Sequence, residues 1–130
     1  MDQQTYDKGL ALRRKVLGDA YVDKSFDGAT DFDRPLQDLL TEYCWGSGWA
    51  RPGLDLKTRS FINLAMLSVL NRPHELRTHL RGALNNGITK EEIREVLLQV
   101  TIYGGAPAGL DSFRVAKAFF AEFETTKENA

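Results

Sequence analysis

The chain holds one cysteine, Cys44, which rules out an intrachain disulfide and a cysteine-based zinc site. It has no long apolar run. Its richest stretch, FINLAMLSVL (61–70), is far too short to span a bilayer and contains Asn63 and Ser68. It has no excess of either charge: 17 Lys and Arg stand against 18 Asp and Glu, for a formal net charge of −1. No basic block stands out, so a nucleic-acid partner is not expected. No stretch alternates apolar and polar residues as a half-buried strand would. The opening MDQQTYDKG has no apolar stretch of the kind a signal peptide carries, so a cytoplasmic location is expected.

What is present is helical periodicity and ordinary globular composition, 42% hydrophobic and 27% charged. The 130 residues are expected to form one domain, 1–130, an all-α bundle of about six helices. The first runs from about 3 to 17 and stops at Gly18. Residues 19–33 are rich in turn formers and read as a loop. The second helix runs from 34 to 44 with an apolar stripe at Leu36, Leu39, Leu40 and Tyr43. WGSGWARPGL (45–54) should interrupt regular structure. The third helix starts at an Asp55 N-cap and is apolar nearly all round from Phe61 to Leu70, which predicts burial on every side and hence an oligomer. The fourth covers 73–85 and ends before Gly87. The fifth begins with a capping box, Thr89 and Glu92, and runs to about Tyr103. GGAPAG (104–109) is a break. The last helix turns Phe113, Ala116, Phe120 and Phe123 inward, and TTKENA (125–130) frays.

Two groups of side chains are candidates for chemistry. On the fourth helix, Glu75 lies one turn before His79, with Arg72 on the same side. Such a carboxylate can fix the tautomer of an imidazole and raise its pKa; it can equally be a surface pair worth a few tenths of a kcal/mol. Trp45 and Trp49 flank a glycine-rich turn near Arg51 and Arg59. They can form an aromatic wall with cations for an anionic ligand, or plug the core while the arginines face water. GGAPAG follows a helix rather than a strand, so it is not a dinucleotide fingerprint. His74 reads as solvated, Asp111 and Arg114 as a surface pair, and Cys44 as a small buried apolar residue.

Several stretches in order, YDKGLALRRKVLGDAYV, WGSGWARPGLDLKTRSFINLAML, HELRTHLRGALNNGITKEEIREVLLQ and YGGAPA, resemble the carboxymuconolactone decarboxylase family over about 6–108. The W-G-x-x-W-x-R-P-G-L run followed by T-R-S is typical of its decarboxylase branch. The alkylhydroperoxidase D-like redox proteins of the same superfamily carry a glutamate, eleven residues, then C-x-x-C-x-x-x-H. With the final histidine on His79, the cysteine positions fall on Arg72 and Glu75 and the glutamate on Ser60. Both sulfurs are absent, so thiol–disulfide chemistry is excluded, while the histidine is retained.

The resemblance implies an alkylhydroperoxidase D-like fold in a homo-oligomer, typically a hexamer. It implies decarboxylation of 4-carboxymuconolactone to the β-ketoadipate enol-lactone in aromatic catabolism, with no metal or organic cofactor. His79 would be the proton donor and Glu75 its orienting carboxylate. Arg51, Arg59 and Arg72, with Trp45 and Trp49, would bind the substrate, a small carboxylated lactone; no membrane partner is expected. One stretch departs from the family: GAPAGLDSFRVA has Leu110-Asp111 near an asparagine position and Arg114 near a histidine position. That leaves open a related lyase, hydrolase or isomerase on another carboxylated lactone, or a non-catalytic oligomer that binds a small acid.

Overall fold

The computed structural model describes residues 1–128, with side chains described through 126. Its regular elements are helices: α1 (Gln3–Leu17), α2 (Asp19–Asp27), α3 (Arg34–Leu39), a π-helical segment (Leu40–Trp49), α4 (Leu56–Val69), α5 (Pro73–Asn85), α6 (Lys90–Gly104) and α7 (Ala106–Glu128). No strand occurs among the described residues. The chain divides into two compact units, Met1–Arg59 and Ser60 onward, so α4 begins in the first and continues in the second.

In the first unit, α1 packs chiefly against the π-helical segment. The approach is close because both helices offer glycine. A Cβ on Gly9 would overlap the Thr41 carbonyl oxygen and the Gly46 backbone. Around this crossing Val16, Leu17, Val22, Trp45 and Trp49 form a core.

Two expectations fail here. Residues 19–27 are a helix, not a loop. Gly18, at φ 93°, ends α1, and Asp19 then opens α2 with an acidic first turn. Arg14 ties the two together, 3.2 Å from Asp19 and 2.8 Å from Asp23. Val22 is fully buried, and Tyr21 and Phe26 pack beside it.

The second failure is the helix expected to stop at Cys44. From Leu40 the ladder widens to π geometry and runs through both glycines to Trp49, and the Ala50 N–H still reaches the Trp45 carbonyl at 3.1 Å. The buried row is Thr41, Trp45 and Trp49. The expected stripe fails: Leu39 is 60% exposed and Tyr43 69%. Cys44, expected inside, is also exposed.

In the second unit α4 buries Ser60, Leu64 and Ser68 at four-residue spacing. Its other face is open within this chain, with Met66 49% and Val69 54% exposed, so the all-round burial expected for 61–70 is not met by one copy. The expected Asp55 cap at the start of α4 is present, with Oδ1 accepting from the Thr58 N–H at 2.7 Å.

Helix α5 starts with Pro73 at its first turn, where a missing N–H costs nothing. It buries Leu76, Leu80 and Ala83, and the chain turns at Gly87 with φ 88°. The capping box of α6 is complete: Thr89 Oγ1 accepts from the Glu92 N–H at 3.0 Å, and Glu92 Oε1 from the Thr89 N–H at 2.9 Å. Thr89→Ala should cost about 1 kcal/mol in a denaturant melt.

The expected break at 104–109 narrows to Gly105, at φ 99°. Helix α7 buries Ala116 and Phe120 as expected, but Phe119 sits deepest and Phe123 is partly exposed. Residues 125–128 of the tail expected to fray are helical; 129 and 130 lie outside the described residues.

Candidate active site

The seven residues singled out from the sequence fall into both units. In the first, the π-helical segment carries Trp45 and Trp49. Their rings stack with centroids 4.7 Å apart and planes 14° from parallel. Both indoles are buried in the core of the first unit, and Trp49 also borders a surface cavity.

The chain then turns at Arg51, whose carbonyl accepts a hydrogen bond from Arg59 Nη2 at 3.0 Å. Arg59 is half-buried, and its Nε–H is buried without a hydrogen-bond partner. A buried donor left unsatisfied is costly, so it is primed for an incoming oxygen.

Trp49 and Arg51 share a cavity of about 590 Å³ with Leu12, Leu56 and two cations, Lys8 and Lys15. The sequence reading missed both lysines. Their spacing of seven along α1 puts them on one helical face, a signal that was available.

In the second unit His79 is largely buried on α5 and Glu75 is exposed one turn earlier. Two opposing effects act on the imidazole. Burial disfavours its charged form, and the Glu75 carboxylate favours it. Burial wins and lowers the His79 pKa from 6.5 to about 4. The sequence suggested a rise, because helical spacing shows the carboxylate but not the depth of the ring. His79 is therefore a neutral imidazole at pH 7.

This has a consequence for stability. Below pH 6.5 the unfolded chain takes up a proton at His79 that the folded chain refuses, so stability falls as pH drops from 6.5 to about 4 and the loss then levels off. The full effect is about 3 kcal/mol. His79→Gln should remove that part of the slope in denaturant melts between pH 7 and pH 4.

Arg72 does not join this pair in the way expected. It occupies the N-cap position of α5, and its Nη1 donates to the Leu70 and Asn71 carbonyls at 3.2 and 3.4 Å. In the same unit Asn86 Nδ2 donates to the buried Ser60 Oγ at 2.8 Å, tying α4 to the end of α5. Asp111 and Arg114 form an exposed pair at 2.6 Å on α7, and His74 is exposed, both as expected. Among the described residues no group of three His, Cys, Asp or Glu side chains has the geometry of a metal site, and no helix is long and apolar enough to cross a membrane.

Residues 34–118 match the model of the carboxymuconolactone decarboxylase family. The chain belongs to that family. It is 39% identical over 127 residues to the 4-carboxymuconolactone decarboxylase of Acinetobacter baylyi, covering 98% of this chain and 95% of that one. It is 41% identical over 117 residues to the nitrosuccinic acid decarboxylase of Metarhizium robertsii, covering 90% and 82%. A 4-carboxymuconolactone decarboxylase of Pseudomonas putida is 40% identical over 45 residues, 35% of this chain and 94% of that sequence. The chain is thus an enzyme of the carboxy-lyase class.

Proposed function

We propose that the chain decarboxylates 4-carboxymuconolactone to the β-ketoadipate enol-lactone without a cofactor, in aromatic catabolism. The observation that carries this reading is the near full-length likeness to the Acinetobacter baylyi enzyme. The chemistry supports it. When the bond to the leaving carboxylate breaks, its electron pair flows through the ring double bond to the lactone carbonyl, carbon dioxide departs, and a dienolate remains. A proton must then reach the ring carbon beside the carbonyl. The substrate is its own electron sink, so the protein must hold charge and deliver one proton.

His79 delivers that proton. In the free enzyme it is neutral, so it must first be charged. A bound dianion does this by stabilising the imidazolium, and Glu75 adds to the pull. After transfer, His79 is recharged from water, and one proton is consumed per carbon dioxide released. In the first unit, Arg51 with Lys8 and Lys15 binds the carboxylate that is not lost, and the Arg59 Nε–H supplies a donor for a developing oxyanion. Trp45 and Trp49 exclude water beside the leaving group, which favours loss of its charge. Arg72, turned to the backbone, acts as an outer cation. The open face of α4 meets a second copy of the chain, in a homo-oligomer of the size typical of the family, a hexamer, in the cytoplasm. A monomer by sedimentation at micromolar concentration would contradict this assembly.

The Metarhizium robertsii likeness favours a second reading. Nitrosuccinic acid also carries two carboxylates, and its nitro group can take the electron pair as a nitronate. The same residues would serve. The test is turnover of each acid by the purified chain. The proposal expects carbon dioxide and enol-lactone from 4-carboxymuconolactone at the higher kcat/KM; a preference for nitrosuccinic acid would favour the second reading, and turnover of neither would sink both.

A further inference from the structure

Arg13 is 4% exposed, yet neither of its hydrogen-bond partners is a carboxylate. Its Nη1 donates to Thr41 Oγ1 at 3.1 Å and its Nη2 to Gln37 Oε1 at 2.9 Å, while the Nε–H is buried without a hydrogen-bond partner. The guanidinium lies 5.6 Å from the centre of the Phe26 ring. Burial pulls its pKa below the ordinary arginine value. A cation buried among neutral groups contributes little to net stability and costs desolvation. Its placement asks for another explanation.

That placement is the junction where α3 gives way to the π-helical segment. Gln37 is the last-turn residue of α3, and Thr41 is the second residue of π geometry. The Thr41 hydroxyl itself donates back to the Gln37 carbonyl at 2.7 Å. Hydroxyl bonds of this kind loosen and bend a helix at the carbonyl they take. Arg13 therefore grips both sides of the switch, one nitrogen on each. Long π-helical runs are rare and need support from outside. Thr41 also starts the buried row that continues four and eight residues later as Trp45 and Trp49.

We propose that Arg13, acting through Thr41 and Gln37, is a positioning residue that sets the register of the π-helical segment and thereby the stacking of Trp45 on Trp49. The clamp stands on geometry alone; its importance for turnover rests on the decarboxylase reading, in which the stacked pair lines the substrate.

Two stacked indoles give an exciton couplet in circular dichroism, which reports the pair directly. The test compares Thr41→Val, nearly the same shape without the hydroxyl, with Thr41→Ser, which keeps it, and adds Arg13→Met and Arg13→Lys. The expected result is loss of the couplet in Thr41→Val and Arg13→Met with total helicity retained, and a preserved couplet in Thr41→Ser. Arg13→Lys loses it too, because an ammonium cannot span both acceptors as a planar fork does. In the same variants kcat/KM should fall about tenfold, mainly through KM. Folded Thr41→Val with the wild-type couplet and KM would overturn the proposal, and so would a couplet lost equally in Thr41→Ser. Should Arg13→Met not fold, the two Thr41 variants decide. A couplet that is lost as expected, in a protein whose wild type turns over neither acid, would uphold the clamp and refute the decarboxylase reading.

Discussion

His79→Ala should lower kcat on 4-carboxymuconolactone by about a hundred- to ten-thousandfold, the usual range for removing a positioned acid–base group. The imidazole sits largely buried on α5 with its charged form suppressed. A solvated surface histidine would show neither feature. Alanine removes the only group assigned to proton delivery, while the core of that unit, centred on Leu76, Leu80 and Phe119, stays in place. Glu75→Gln should cost much less, about tenfold, because the exposed carboxylate tunes the imidazole without touching substrate. The measurement is kcat for both variants, with circular dichroism confirming the fold. A His79→Ala protein with wild-type kcat would remove His79 from the mechanism and leave only the family assignment.

Gly9→Ala should destabilise the protein by about 3 kcal/mol, although alanine is the better helix former. The added Cβ would meet the Thr41 carbonyl oxygen and the Gly46 backbone. Backbone atoms cannot rotate away as a side chain can, so α1 must lift off the π-helical segment. Gly28→Ala is the control: its φ is −81°, and the one close atom is the Lys24 carbonyl oxygen at 3.2 Å. Urea melts of both variants measure the difference. Equal, small effects would mean that the crossing of α1 and the π-helical segment has slack.

These residues also show what the sequence made legible. The ends of α1, α5 and α6 could be read because local chemistry writes them: Gly18, Gly87 and the Thr89–Glu92 box each mark a helix end by backbone conformation or capping. The π-helical segment could not be read. Its glycines signal a turn by propensity, yet Gly46 is needed for contact with Thr5 across a helix crossing, which is a tertiary demand. Once the α period was assumed, the inward stripe shifted to Leu39 and Tyr43, and the true row of Thr41, Trp45 and Trp49 was hidden. Helix α2 was missed for a related reason: many turn formers outweighed the buried Val22 and the packing of Phe26.

The site was legible to a similar degree. The four-residue gap between Trp45 and Trp49 marks them as neighbours on any helix, and they stack. The Glu75–His79 spacing gave the partner but not the burial, so the sign of the pKa shift came out reversed. Lys8 and Lys15 both lie in the stretch YDKGLALRRKVLGDAYV, but nothing in that stretch pairs them with Trp49 and Arg51; they reach the same cavity through the packing of α1.

The central claim is that His79 is a buried neutral imidazole that a bound dianion recharges. The most direct measurement is a nuclear magnetic resonance titration of its ring, made unambiguous by a His74→Gln background, since the chain has two histidines. It should be run on the free enzyme and again with an unreactive dicarboxylate lactone bound. The account predicts a free-enzyme pKa of about 4, with a clear rise on binding. Titration near the ordinary 6.5 in the free enzyme, unmoved by the ligand, would contradict it.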